Sequence, residues 1–197
     1  HDGAPRNVCL DFHYGDTEKV NAAFAAAAHV TKLAIRNNRI VGNGYQGFYI
    51  DYYNYNLTFQ GNTIADNGGD GIYVPNYASN MRLENNLIVR NGGDGIEWGS
   101  SGEAVLLHNT IADNAIDANQ GDSGLRVSYA TVVLTNTILA GQPYGIRTLN
   151  TSANVQADHT LWYNNPSGNT AANGGVNIVT THDISGNSHF VGGADAF

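Results

Sequence analysis

One motif recurs along this chain at nearly constant spacing. The copies are LAIRNNRIVGNGYQGFYI from Leu33, LTFQGNTIADNGGDGIYV from Leu57, MRLENNLIVRNGGDGIEW from Met81, AVLLHNTIADN from Ala104 and TVVLTNTILAG from Thr131. A looser sixth, NVQADHTLWYNN, starts at Asn154. Anchored on Ile40, Ile64, Ile88, Ile111, Ile138 and Leu161, the steps are 24, 24, 23, 27 and 23 residues. A fixed period in this range means a solenoid, in which each unit buries its apolar face against the next.

Two features select β over α. Each unit holds short runs with period-2 alternation, such as Leu57 and Phe59, or Ile72 and Val74. Most runs close on Asn-Gly, Gly-Gly or a single Gly, which break helices and make turns. The dense leucine ladder of leucine-rich repeats is absent. The reading is therefore an all-β parallel β-helix of about six to seven coils.

Coils stacked about 4.8 Å apart place equivalent residues over one another. Asn38, Asn62, Asn86, Asn109 and Asn136 then form one amide column, and Asn43, Asn67, Asn91 and Asn114 a second. The inward apolar columns are the anchor residues above and Ile35, Phe59, Leu83, Leu106 and Val133. Gly47, Gly71, Gly95, Gly124 and Gly145 precede the next strand, where a positive φ is expected.

The ends differ. Residues 1–30 are read as an extension with a short capping helix over Asp16 to Ala28, N-capped by Asp16 or Thr17, and 31–197 as the solenoid. Such a helix would cover the core and strand edges of the first coil. No comparable cap is seen at the C-terminus, where Gly186-Asn187 and Gly192-Gly193 are loop-like.

Composition narrows the class. Charged residues are 13%, about half the usual share. The net charge is -8 and no basic face is visible, which excludes a nucleic-acid footprint and disfavours an anionic membrane surface. No apolar run reaches membrane-spanning length. Cys9 is alone and cannot form an intrachain disulfide. A start at His1 fits a processed or excised segment, with any export signal or anchor outside it. The expected location is extracellular or cell-surface.

Units of the form N-x-I-x-x-N-x-x-x-G-I-x-V resemble the repeats of the pectate-lyase-like superfamily. LTNTILAG (134–141), DHTLWYNN (158–165) and DISGNSHFV (183–191) are similar to the end of bacterial choice-of-anchor cell-surface β-helix proteins. There the last unit reads Gly-Asp-Pro-x-Phe-Val. Here Gly186, Asn187, Ser188, His189, Phe190 and Val191 stand, without the Asp-Pro pair. The resemblance implies a right-handed β-helix. It implies no single activity, since the superfamily holds lyases, hydrolases, epimerases, adhesins and structural proteins.

Along the Gly-Ile strand the outward column reads Tyr49, Tyr73, Glu97, Arg126, Arg147, Asn177. The tyrosines offer rings to stack on sugars, and the arginines could clamp carboxylates of an acidic sugar. Tyr45, Tyr52, Tyr53, Tyr55, Tyr77 and Trp98 add an aromatic rim. The carbohydrate-binding set is Tyr49, Tyr73, Glu97, Trp98, Arg126 and Arg147, with polysaccharide as partner. The plainer reading makes Glu97 and Arg126 a cross-strand ion pair, contributing under about 1 kcal/mol. Asp66, Arg90 and Asp113 alternate in sign and read as structural.

Glycoside hydrolysis usually needs two carboxyls about 5–9.5 Å apart. The nearest acid to Glu97 on its own face is Asp51, roughly 11–12 Å away by strand spacing. Asp94 and Asp122, in the turns before this face, leave an unusual pairing open. A lyase needs a base and a cation beside a uronate; Arg126 or Arg147 could neutralise, with Tyr73 or an arginine as base, but no motif fixes it. Catalytic residues are therefore not assigned. Asp70 and Asp94 occupy matching GGDGI turns, where calcium would relieve their repulsion. The alternative is that each accepts the amides of its own turn. His108, His159, His182 and His189 share no column on adjacent coils, show no zinc spacing, and read as surface or turn residues.

A competing reading comes from the later coils. Val105 and Leu107, Val132 and Leu134, then Val155 and Ala157 fall at nominally outward positions. An apolar outer face calls for a cover. That cover is a long loop, the chain's own tail folding back, or a neighbouring subunit. Val105, Leu107, Val132, Leu134 and Val155 are then an assembly surface of a homo-oligomer or filament.

Overall fold

The structure is a computed structural model that describes residues 32–50, 53–119, 121–173 and 178–187, with the backbone of Val8–Cys9. The chain winds in about six parallel turns with three strands per turn. The first sheet stacks Val8–Cys9, Leu33–Arg36, Leu57–Gln60, Ala78–Glu84, Gly102–Leu107, Thr131–Thr135, Asn154–Asp158 and Ile178–Thr181. The second stacks Arg39–Val41, Thr63–Ala65, Leu87–Val89, Thr110–Ala112, Ile138–Ala140, Leu161–Tyr163 and Ile184–Ser185. The third stacks Phe48–Tyr49, Ile72–Val74, Ile96–Trp98, Ser123–Val127, Tyr144–Thr148 and Gly168–Ala172. Among the described residues there is no helix long and apolar enough to cross a membrane. The capping helix expected over Asp16 to Ala28 lies outside the described residues.

Alternation shapes the strands of the first and third sheets, whereas the second-sheet strands Thr63–Ala65, Leu87–Val89, Thr110–Ala112 and Ile138–Ala140 each bury two residues in a row. In Ile72–Val74 the outer residues are buried and Tyr73 faces out, and Leu57–Gln60 follows the same rule. The inward side chains of all three sheets meet in one core that runs from Leu33 to Trp162.

Two corners per turn are built alike. At the first, residues 37, 61, 85, 108, 136, 159 and 182 take positive φ between 49° and 65°. At the second, 42, 66, 90, 113, 141 and 164 do the same, between 49° and 77°. Asn, Asp and Gly fill most of these places because they tolerate the left-handed region. The next residue at each corner turns its side chain inward. Asn43, Asn67, Asn91 and Asn114 form an unbroken ladder there, each Nδ2 donating to the next Oδ1 at 2.8 Å. Gln142 and Asn165 extend it by donating to the Ile111 and Leu139 carbonyls.

The glycine expectation is corrected. Gly47, Gly71, Gly95, Gly124 and Gly145 do not adopt positive φ. They are needed for room instead: a Cβ on Gly71 would lie 2.5 Å from the Gly95 oxygen and 2.7 Å from Ile88 Cγ2.

The register after Ala112 is also corrected, by one residue. Ile111 pairs with Leu139, and Leu139 with Trp162, so Ile138 and Leu161 lie off the inward column. Leu106 pairs with Leu134, which puts Leu134 rather than Val133 inside. The first amide ladder likewise ends at Asn109, because buried Thr137 follows it and Asn136 is the exposed corner residue. The apolar outer face of the later coils therefore disappears. Val132, Leu134 and Val155 are fully buried, Ala157 is 1% exposed, and only Val105 and Leu107 of the assembly set lie outside the core. The slip arises because TVVLTNTILAG is apolar at both parities, and because an insertion between Asn114 and Ser123 lengthens this coil.

Candidate functional site

The third sheet carries the outward stripe. Tyr49 pairs with Tyr73, Tyr73 with Glu97, Glu97 with Arg126 and Arg126 with Arg147. All five are half-buried. The sixth rung is Ala171, not Asn177, which lies outside the described residues. Tyr49 and Tyr73 meet edge to face, with ring centroids 5.4 Å apart. Tyr77 touches Tyr53 and Tyr55 at 6.0 and 5.7 Å on the neighbouring loop. Tyr52 lies outside the described residues. Trp98 is removed from the binding set: it follows Glu97 on an alternating strand, so its ring turns into the core and is 1% exposed.

The turns before the stripe bring up carboxylates that strand spacing hides. Oxygen atoms of Asp70, Asp94 and Glu97 lie within 4.8 Å of one another. Two acids close to Glu97 are thus in the turns, and Asp51 lies outside the described residues. The stacking of turns explains this. Asp70 Oδ1 accepts the Asp94 N–H at 2.8 Å, and Asp94 Oδ1 accepts the Asp122 and Ser123 N–H groups at 2.9 and 2.7 Å. Each aspartate thus accepts amides of the following coil's turn.

Arg126 supplies the counter-charge, 3.4 Å from Asp94 Oδ2 and 3.9 Å from Glu97 Oε1. Arg147 pairs with Asp122 and lies over the Tyr144 ring. Four carboxyls therefore face two guanidiniums. Burial, aided by the charges of Asp94 and Glu97, pushes the Asp70 carboxyl up to about 7. Burial pushes Asp94 up to about 6 against the pull of Arg126 and the Ser123 amide. Glu97 is raised by burial with Arg126 opposing, and burial and Glu97 raise the Tyr73 phenol. The cluster holds protons at pH values where ordinary carboxyls have lost them. Asp70, Asp94 and Glu97 offer oxygens to a hard cation, but Arg126 already stands against Asp94.

Elsewhere, Arg90 forks onto Asp66 at 2.8 and 2.9 Å, and both occupy second-corner positions. The histidine reading is corrected: His159 and His182 share the first-corner column on adjacent coils. Counting the corner from Asp158 rather than from the apolar anchors would have exposed that pairing.

A three-sheeted parallel coil with an aromatic and charged outer stripe defines a right-handed β-helix protein, a fold shared with polysaccharide-acting enzymes. The chain belongs to the right handed beta helix family, whose model of the beta helix region matches residues 18–129. It is similar to the A-module of mannuronan C-5 epimerase AlgE6 of Azotobacter vinelandii, at 16% identity and a TM-score of 0.52, over 79% of this chain and 52% of that one. It is similar to pectate lyase Pel9A at 14% identity and a TM-score of 0.54, over 95% of this chain and 62% of that one. The chain thus spans between half and two-thirds of these structures, and the likeness concerns the fold. No curated protein matches it.

Proposed function

We propose that this chain is an extracellular or cell-surface module that contacts polysaccharide through its third sheet, in a binding or scaffold role. One observation carries the reading: Tyr49, Tyr73, Glu97, Arg126 and Arg147 stand in register on one face. Rings at one end stack on sugar faces, and polar groups along the stripe bond hydroxyls. Two solved structures of the same fold are named for enzymes of mannuronan and pectate, both polysaccharides. Charge refines the expectation. With four carboxyls against two guanidiniums, an acidic polymer is repelled until the cluster takes up protons. Neutral glycans bind across the pH range, and uronate polymers bind below about pH 6.

The test is a glycan array with pull-down on pectin, alginate and cellulose. Binding that is lost in the Tyr49→Ala/Tyr73→Ala double variant supports the reading. Retention by no glycan at any pH overturns it.

The enzyme reading has one observation of its own, since raised carboxyl pKa values cluster at active sites. Yet Asp94 is completely buried and Asp70 nearly so, which keeps them from flanking a glycosidic bond. Appearance of ultraviolet-absorbing unsaturated uronate would establish a lyase. The assembly reading rests on Val105, Leu107 and the last described rung, where Val179 and Ile184 are 48% and 65% exposed. Light scattering that shows only monomers at high concentration would remove it. A calcium ion at Asp70 and Asp94 is a second route to charge balance, in place of protons.

A further inference from the structure

We propose that Asp158, His159 and His182 form a surface site for one divalent transition-metal ion of the zinc class, clipping the last described rung to the one before it. The site lies at the corner between the first and second sheets, so it is separate from the third-sheet stripe.

The fold brings the donors together in a simple way. Asp158 pairs with Thr181 at the ends of neighbouring strands. The next residue on each coil takes the left-handed conformation, with φ of 52° at 159 and 51° at 182. That corner throws both side chains outward in the same direction, and both are histidines. Their rings stack with centroids 4.9 Å apart and planes at 23°.

Both rings turn Nδ1 toward a single carboxylate. His159 Nδ1 lies 2.9 Å from Asp158 Oδ2, and His182 Nδ1 lies 2.8 Å from Asp158 Oδ1. The Thr181 hydroxyl donates to Oδ1 at 2.7 Å and fixes the tilt of the carboxylate, the role a supporting group plays behind a metal ligand. One donor atom from each of the three residues falls within 4.8 Å of the others.

Two imidazoles and one carboxylate select the ion. Calcium and magnesium take oxygen, whereas imidazole suits zinc, nickel and copper. Three protein donors leave solvent to complete the shell, and the half-exposed position gives entry. The ion would join two coils where the described chain is weakly covered, because Val179, Thr181 and His182 on the last described rung are all exposed.

The experiment is zinc titration of untagged protein by calorimetry, with melting curves in zinc and in magnesium. Cobalt serves as a spectroscopic probe of nitrogen ligation. The variants are His159→Asn, His182→Asn, their double, and Asp158→Asn. Asn suits both corners, since the same column carries Asn37, Asn85 and Asn136 in the same conformation. Circular dichroism and the metal-free melting point confirm that each variant folds. The expected result is one ion per chain, weakened more than about tenfold by each histidine change. Zinc but not magnesium raises the melting point, and the double variant abolishes the rise. The proposal is overturned if submillimolar zinc gives neither heat nor a melting shift. It is also overturned if zinc binds the folded double variant as it binds the parent, which places the ion on other histidines. Glycan binding is scored in parallel and is unchanged in every variant.

Discussion

The backbone N–H of Asp94 donates to Asp70 Oδ1 across 2.8 Å, so each aspartate turn is fastened to the next by a side chain that burial would prefer to keep neutral. Asp94 repeats the arrangement on the Asp122 and Ser123 amides. Two buried aspartates are thereby brought up beside Glu97, the acidic rung of the stripe.

Stability should fall as pH rises through this cluster. Asp70 and Asp94 have folded pKa values of about 7 and about 6, above the unfolded value near 3.9. The folded state therefore binds protons more tightly between roughly pH 4 and 7, and their favourable contribution is lost as pH climbs through that window. Asp70→Asn keeps an oxygen for the Asp94 amide and removes the charge. It should stabilise the protein by about 2 kcal/mol at pH 8 and by little at pH 4. Urea melts at both pH values check this; an equal effect at the two would refute it.

Asn91 tests the amide ladder. Its Oδ1 accepts the Asn67 N–H and Nδ2, and its own Nδ2 donates to the Ile64 carbonyl and to Asn114 Oδ1. Asn91→Ala takes these bonds from all four partner groups in the core and should cost about 3–5 kcal/mol. Asn136→Ala loses only an exposed corner preference and should cost about 1 kcal/mol. Similar losses at both sites would restore Asn136 to the ladder and undo the corrected register.

Gly95 separates room from backbone conformation. A Cβ there would lie 2.6 Å from both the Gly124 oxygen and Ile111 Cγ2. Gly95→Ala should cost more than about 2 kcal/mol by overpacking. Gly44 has nothing within 4 Å, and Gly44→Ala should change stability by less than about 0.5 kcal/mol. Denaturant midpoints measured side by side decide it.

A calcium ion held by Asp70 and Asp94, as proposed above, would compete with protons for the same carboxylates. At pH 8 it should raise the melting point of the parent, a chelator should reverse the rise, and Asp70→Asn should abolish it. No response of the parent to calcium would leave Arg126 and protons as the cluster's charge balance.

The period, the first four inward rungs, the second amide ladder and five rungs of the stripe were all legible in the sequence: steps of 24 and then 23 residues carry the period, rungs and ladder from Leu33 to Asn114, and the Gly124-Leu125 and Gly145-Ile146 pairs mark Arg126 and Arg147 beyond the longer coil. The register beyond Ala112 was not. Val132, Val133 and Leu134 are all apolar, as are Ile138 and Leu139, so alternation could not choose between parities. Trp98 was legible by parity but was drawn outward by its aromatic type. The acid cluster was half visible: matching turns gave Asp70 over Asp94, but distances reckoned along strands could not show the turns closing on Glu97. The left-handed corners were sought at the glycines, whereas most rungs place them one residue before a buried amide or its substitute.

The insertion between Asn114 and Ser123 shows where this architecture tolerates novelty. Its extra residues project at one turn, with Ile116 67% exposed, while Thr137 and Gln142 resume the two inward columns directly above. Its closing amides land on Asp94. Length can thus change at the third-sheet entrance without disturbing the layers on either side, which makes that entrance the natural place to graft new recognition loops.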